Sequence, residues 1–107
     1  MTTGRILEAF DAFKENSLSD QIKITWIGDV EGRVLCEIHK MSPDALILSK
    51  GSDDTVTLCE GDLRVYLLYM SAMAELAKGD NVAYSRIFTE FEASLHIYAK
   101  RYIRTRS

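Results

Sequence analysis

The stretch "DLRVYLLYMSAMAELAK", residues 62–78, constrains this chain more than any other. Arg64, Ser71, Glu75 and Lys78 fall at i, i+7, i+11 and i+14, so on a helix they share one narrow stripe and leave the remaining circumference apolar. A helix of that kind has to be sandwiched between layers or placed at a subunit interface. Asp62 stands where an N-cap is expected and Gly79 where the left-handed residue after a helix is expected. Valine, leucine and tyrosine also suit a buried strand, so "LRVYLLY", residues 63–69, keeps a strand as its competing reading. On the helical reading Tyr66, Leu67, Met70, Met73 and Ala74 form one side, and Val65, Leu68, Tyr69, Ala72 and Leu76 another. One small sheet covers a single side, and the expectation is a homodimer through this second helix.

The flanking segments supply the other layers. Residues 3–16 place Ile6, Leu7, Phe10 and Phe13 at helical spacing, and "NSLSD" then interrupts the helix with residues that bond their own backbone. In "IKITWIGDVEGRVLCEIHKMS", Ile22, Ile24 and Trp26 alternate with Lys23 and Thr25, while Val34, Cys36 and Ile38 alternate with Arg33, Glu37 and His39. That period of two predicts a strand pair with "GDVEG" as its loop and Pro43 at its end. "ALILS" and "TVTLC" around "KGSDD" predict a second hairpin with Gly51 near its tip. Residues 82–104 return to the helical period, with Tyr84, Ile87, Phe88, Phe91, Leu95, Tyr98 and Tyr102 on one side, and Asp80 or Asn81 can cap them.

The predicted architecture is therefore a single α+β domain over residues 1–107: an N-terminal helix, a four-stranded antiparallel meander, and two C-terminal helices packed on one sheet face. Ile22, Ile24, Trp26, Val34, Cys36, Ile38, Leu46, Leu48, Val56 and Leu58 form its covered side. With 107 residues, 47% of them hydrophobic and a single proline, the chain has enough apolar material for one core. It carries neither the basic start and apolar run of a secretory signal at "MTTGRILEAF" nor an apolar stretch of about 18 residues that would span a membrane. Two cysteines, Cys36 and Cys59, make no disulfide framework, so buried reduced thiols and a cytoplasmic location are expected.

Charge is unevenly distributed. Residues 1–92 carry 9 basic and 16 acidic groups and residues 93–107 carry 4 basic and none acidic, so the body stands at −7 and the end at +4. An acidic body argues against nucleic acid as the partner, because a duplex-binding surface neutralises several phosphates with clustered cations. The end is different: Lys100, Arg101, Arg104 and Arg106 interleave with Tyr98 and Tyr102. Those six residues are the expected partner-binding surface, for another protein with an acidic surface.

Reactive constellations are sparse. Cys36 and His39 have a Cys-x-x-His spacing, but on a strand they face opposite sides, and the remaining ligand types, Cys59 and His96, lie far along the chain. Cys59 with His39 or His96 supplies the residue types of a thiol nucleophile and base without a local signature. Asp53 and Asp54 lack the ligand pattern of a calcium loop, and the six glycines form no phosphate loop. Glu92, His96 and Lys100 follow at i, i+4 and i+8 as a solvated face. No catalytic, cofactor or metal residue is assigned.

"CEIHKMSPDALILSKG" followed by "CEGDLRVYLL" resembles the strand-turn-strand core of PilZ domains, whose Asp-x-Ser-x-x-Gly and upstream Arg-x-x-x-Arg motifs bind cyclic di-GMP. The resemblance spans about a third of the chain. Ser42 matches the signature, whereas Lys40 and Ala45 occupy the Asp and Gly positions and no Arg-x-x-x-Arg precedes them. It implies a degenerate member without the nucleotide site. The function expected from the whole sequence is a small non-enzymatic protein-binding module of the inhibitor, immunity or adaptor type; the alternative is a small-molecule or nucleotide sensor domain of degenerate PilZ-like kind.

Overall fold

The computed structural model describes residues 1–42 and 54–106. They form four α-helices: α1 (Thr3–Phe13), α2 (Asp20–Arg33), α3 (Leu63–Ala77) and α4 (Asn81–Arg106). A π-helical turn, Val34–Ile38, extends α2, and a 3-10 turn, Glu60–Asp62, leads into α3. The only strand-like pairing among the described residues is an isolated antiparallel bridge between Thr2 and Thr55. The expected α+β fold with its four-stranded meander is thus overturned by a helical, bundle-like one. The "ALILS" half of the second hairpin, its Gly51 tip and Pro43 lie outside the described residues.

The first expected hairpin is a helix, and two buried charges explain why its period was hidden. The face of α2 turned to the core carries Lys23, Trp26, Ile27, Val30 and Glu31, continued by Val34. Those positions step by three and four, as a helical stripe does, but its two charged members make the apolar pattern look like alternation. Both charges are satisfied inside. Lys23 Nζ donates to Asp11 Oδ1 at 2.8 Å on α1 and to Asn16 Oδ1 at 3.3 Å in the α1–α2 connection. Glu31 accepts from the Tyr66 hydroxyl on α3, and from Thr57 N at 3.0 Å and Thr57 Oγ1 at 2.6 Å. Ser19 caps α2 by accepting from Ile22 N, and Thr2 caps α1 by accepting from Arg5 N.

Residues 54–58 keep the burial pattern predicted for a strand without joining a sheet. Val56 and Leu58 are buried while Thr55, Thr57 and Cys59 are exposed. Thr3 N donates to Asp54 O and Val56 N donates to Met1 O, so the segment is fastened to the start of α1 on one side and to Glu31 on the other.

The helix α3 lies at the centre, packed against α1, α2 and α4. Val65, Tyr66, Leu68, Tyr69, Met70, Ser71, Ala72 and Ala74 are all buried within the chain, so its own helices cover most of the nearly continuous apolar circumference. Leu76 of the expected apolar sides is exposed, and Ser71 of the expected polar stripe is buried. The turn from α3 to α4 follows the sequence closely. Gly79 adopts φ 85°, its N–H donates to Leu76 O, and Asp80 N reaches Glu75 O, the two bonds of a Schellman closure. Asp80 Oδ1 then accepts from Ala83 N and caps α4. No helix among the described residues is long and apolar enough to cross a membrane.

Two carboxylates tie α1 to its neighbours. Asp11 is held below the usual carboxylate range by its hydrogen bonds from Lys23 and Asn16. Glu75 on α3 is lowered by Lys14, whose ammonium lies 2.5 Å from Oε1. A depressed folded-state pKa contributes stability that is complete above the unfolded value, about 4 for these groups, and is lost as pH falls through the folded value. Urea unfolding between pH 6 and pH 2.5 is therefore expected to show stability falling on the acid side of about pH 4. Asp11→Asn combined with Glu75→Gln is expected to lower the plateau and flatten that slope; an unchanged slope would contradict the assignment.

Candidate functional site

The helix α4 runs for 26 residues, about 39 Å at the helical rise, and exceeds the 15 residues of α3. Its inward face is set by Phe91 and Leu95, both buried, and continues into the half-buried Tyr98 and Tyr102. The six residues expected to form one patch are divided by this geometry.

Tyr98, Arg101 and Tyr102 turn back onto the body. The Tyr98 hydroxyl lies 2.8 Å from His39 Nε2, and the Tyr102 ring stacks on His39 with centroids 4.1 Å apart and planes 9° from parallel. Arg101 donates to Asp62 Oδ1 at 2.6 Å while its guanidinium lies over the Tyr98 ring. Burial, reinforced by the Asp62 carboxylate, pushes the Tyr98 phenol up; the hydrogen bond to Asp62 raises Arg101. Asp62 is consequently occupied by Arg101 and makes no side-chain capping bond to α3, against the expectation from its position. These contacts pin the end of α4 to the end of α2 and to the 3-10 turn.

Lys100 and Arg104 are exposed and in no ion pair among the described residues. One helical turn apart, they share the outer face with Ile97 and Ile103, each 62% exposed. The Arg106 side chain lies outside the description. The site therefore consists of a folded aromatic seam and a separate outer surface on which cations alternate with isoleucines.

The other candidates scatter. Cys36 lies in the π-helical turn and is half-buried, whereas Cys59 is exposed and donates to Asp62 Oδ2 at 3.6 Å, which corrects the expectation that both thiols are buried. Among the described residues no group of three or more His, Cys, Asp or Glu side chains is arranged to hold a metal ion. Glu92 shares a face of α4 with His96, as expected, but it is engaged across helices. It receives both terminal nitrogens of Arg33, at 2.8 and 3.2 Å, and so clamps α4 to α2. The elements on which the PilZ resemblance rested, strands through "CEIH" and "LRVYLL", are a π-helical turn and the start of α3. Sequence reasoning missed His39 as the partner of both tyrosines and Asp62 as the partner of Arg101, because pairs 59 and 39 residues apart leave no local pattern.

Comparison with protein-family models gave no match, and searches of curated proteins and of solved structures gave none either.

Proposed function

We propose that the protein is a non-enzymatic binding module of the inhibitor, immunity or adaptor type, which docks an acidic surface of another protein on the outer face of the end of α4. The observation that carries this reading is the division of the terminal cations. Arg101 is consumed by Asp62, while Lys100 and Arg104 remain unpaired among the described residues, beside exposed Ile97 and Ile103, on a chain whose body is acidic. Exposed cations one turn apart add little to folding but attract a complementary surface. The acidic body would repel a long polyanion, which favours a protein partner over a nucleic acid. A homodimer through the second helix, expected from its nearly complete apolar circumference, is not part of the proposal, since Leu68 and Tyr69 of that circumference are covered from within. Its proposed site of action is the cytoplasm, which two free thiols support.

The test is charge reversal. Lys100→Glu with Arg104→Glu is expected to change stability by no more than about 1 kcal/mol, as exposed charges do. A partner captured by cross-linking to the wild-type chain, then purified, should bind the variant at least tenfold more weakly at low salt. The difference should narrow as ionic strength passes about 0.15 M, where the screening length is about 8 Å. Unchanged binding at low salt would refute the reading.

A further inference from the structure

We infer that the partner lays an α-helix antiparallel along the outer face of α4, over nearly its full length. The inference rests on the binding role proposed above and names the element that docks. A stripe stepping by three or four residues from Val82 to Arg104 stays within an arc of about 80° on α4, and every position on it is exposed. Val82, Ala93 and Ile97 are its apolar members, Val82 being 82% exposed. The others are Arg86, Lys100 and Arg104, with Glu90 as the one acid, and none of these four is in an ion pair among the described residues. Arg101, just outside the arc, is held by Asp62.

The spacing selects a helix. Along roughly 33 Å the stripe repeats every 5–6 Å or so, the interval at which another helix repeats its own surface. Same-face residues of a strand lie about 7 Å apart and fall out of step within about three contacts. The small Ala93 beside Ile97 leaves space for a large apolar side chain of the partner. Charge selects the occupant: three unpaired cations against one acid complement a stripe of the inverse signs, whereas a second copy would bring the same net positive set to face itself. Direction follows from the helix dipole. Lys100 and Arg104 stand in the last turns of α4, and antiparallel packing puts there the first turns of the partner helix, where carboxylates are favoured.

The probe is a pair of synthetic peptides of about 25 residues, long enough as helices to span the stripe and stapled on the far face. In the first, the facing residues read Glu, Glu, Leu, Leu, Lys, Glu, Leu from the N-terminus, spaced to oppose Arg104 back to Val82; in the second the same residues stand in reverse order. By fluorescence anisotropy at low salt the first is expected to bind the full chain at least tenfold more tightly than the second. Arg86→Glu, remote from the cations at the end of α4, should weaken that binding at least fivefold. Glu90→Lys should do the same and recover when the lysine of the peptide is exchanged for glutamate, a rescue that a merely structural role would not give. Methyl resonances of Val82 and Ile97 in the wild-type chain should both shift on peptide addition, a readout independent of how any variant folds. Binding lost with Lys100→Glu and Arg104→Glu but indifferent to Arg86→Glu would overturn the full-length helix and leave the acidic docking surface intact. Equal affinity for the two peptides, or none for either, would also overturn the helix, while the docking surface is judged separately by the purified partner. Self-association of the chain in sedimentation that Ile97→Ser abolishes would make a second copy the occupant and overturn the inference as well.

Discussion

Glu31→Ala is expected to lower the unfolding free energy by about 3–5 kcal/mol, the sum of the buried donors it leaves unmade and the packing it releases. Glu31 is 5% exposed, and its carboxylate takes donors from two other parts of the chain: the Tyr66 hydroxyl on α3, and both the amide and hydroxyl of Thr57. Truncation strands the fully buried Tyr66 hydroxyl, and a buried polar group left without an acceptor costs about 1–3 kcal/mol by itself. It also releases the segment that seats Val56 and Leu58 in the core. Burial, then the Glu31 contact, pushes the Tyr66 phenol far above its ordinary range, so it stays a donor throughout neutral and mildly alkaline pH. Domains of this size have about 5–15 kcal/mol in total, and each kcal/mol moves the melting temperature by roughly 4–8 °C. A fall of at least about 12 °C is therefore expected, with Glu31→Gln intermediate. A double-mutant cycle with Tyr66→Phe should show clear non-additivity. A melting temperature lowered by only about 2 °C would mean that the carboxylate does not hold these elements together.

The second large effect is at the other buried junction. Phe91→Ala is expected to cost about 3–5 kcal/mol. Phe91 is fully buried on α4, tilted against the rings of Tyr69 at 5.1 Å and Phe88 at 5.4 Å, with the Arg33 guanidinium 5.4 Å above its face. That one ring thus touches α2, α3 and its own helix. Removing it opens a cavity, loses the aromatic contacts, and takes the apolar support from beneath the Arg33–Glu92 clamp. Tyr69, whose hydroxyl donates to Asp29 Oδ2 at 3.0 Å and whose phenol is pushed up to about 12 by burial and that carboxylate, would lose the nearer of its two aromatic partners while keeping its bond to α2. Urea titration with linear extrapolation should show a lower midpoint at an unchanged slope. Phe91→Leu should recover part of the loss. A cost below about 1 kcal/mol would show that α4 docks through other residues.

Three of the four helices were legible because their buried positions are apolar apart from Thr3 and Ser71. Ile6, Leu7 and Phe10 define α1, the closure at Gly79 and the cap at Asp80 delimit α3 and α4, and Phe91, Leu95, Tyr98 and Tyr102 give the inward face of α4. The helix α2 was not legible. Lys23 and Glu31 occupy core positions and can do so only because Asp11, Asn16, Thr57 and Tyr66 supply partners from elsewhere. Gly32, read as part of a loop, lies inside the helix. Around Val56 and Leu58 the alternation was read correctly and its meaning was not, since an extended segment can bury every second residue against helices as well as in a sheet. The tyrosines of the candidate site were legible as anchors, but the split between Arg101 and the pair Lys100 and Arg104 depends on Asp62, which only the folded chain brings near.

The π-helical turn at the end of α2 gives the molecule an unusual sensitivity to spacing. His39 N bonds to Val34 O, five residues back, where an α-helix would reach four. The turn thereby holds one residue more than the regular helix, and each helical residue advances the side-chain direction by about 100°. His39 meets Tyr98 and Tyr102 because of that phase. The seam that anchors the end of α4 is consequently governed by the number of residues between Arg33 and His39 more than by their identity. Substitutions at half-buried Leu35 and Cys36 change packing locally, while gain or loss of a single codon there would rotate the histidine off its tyrosines and reset the orientation of everything the last helix presents.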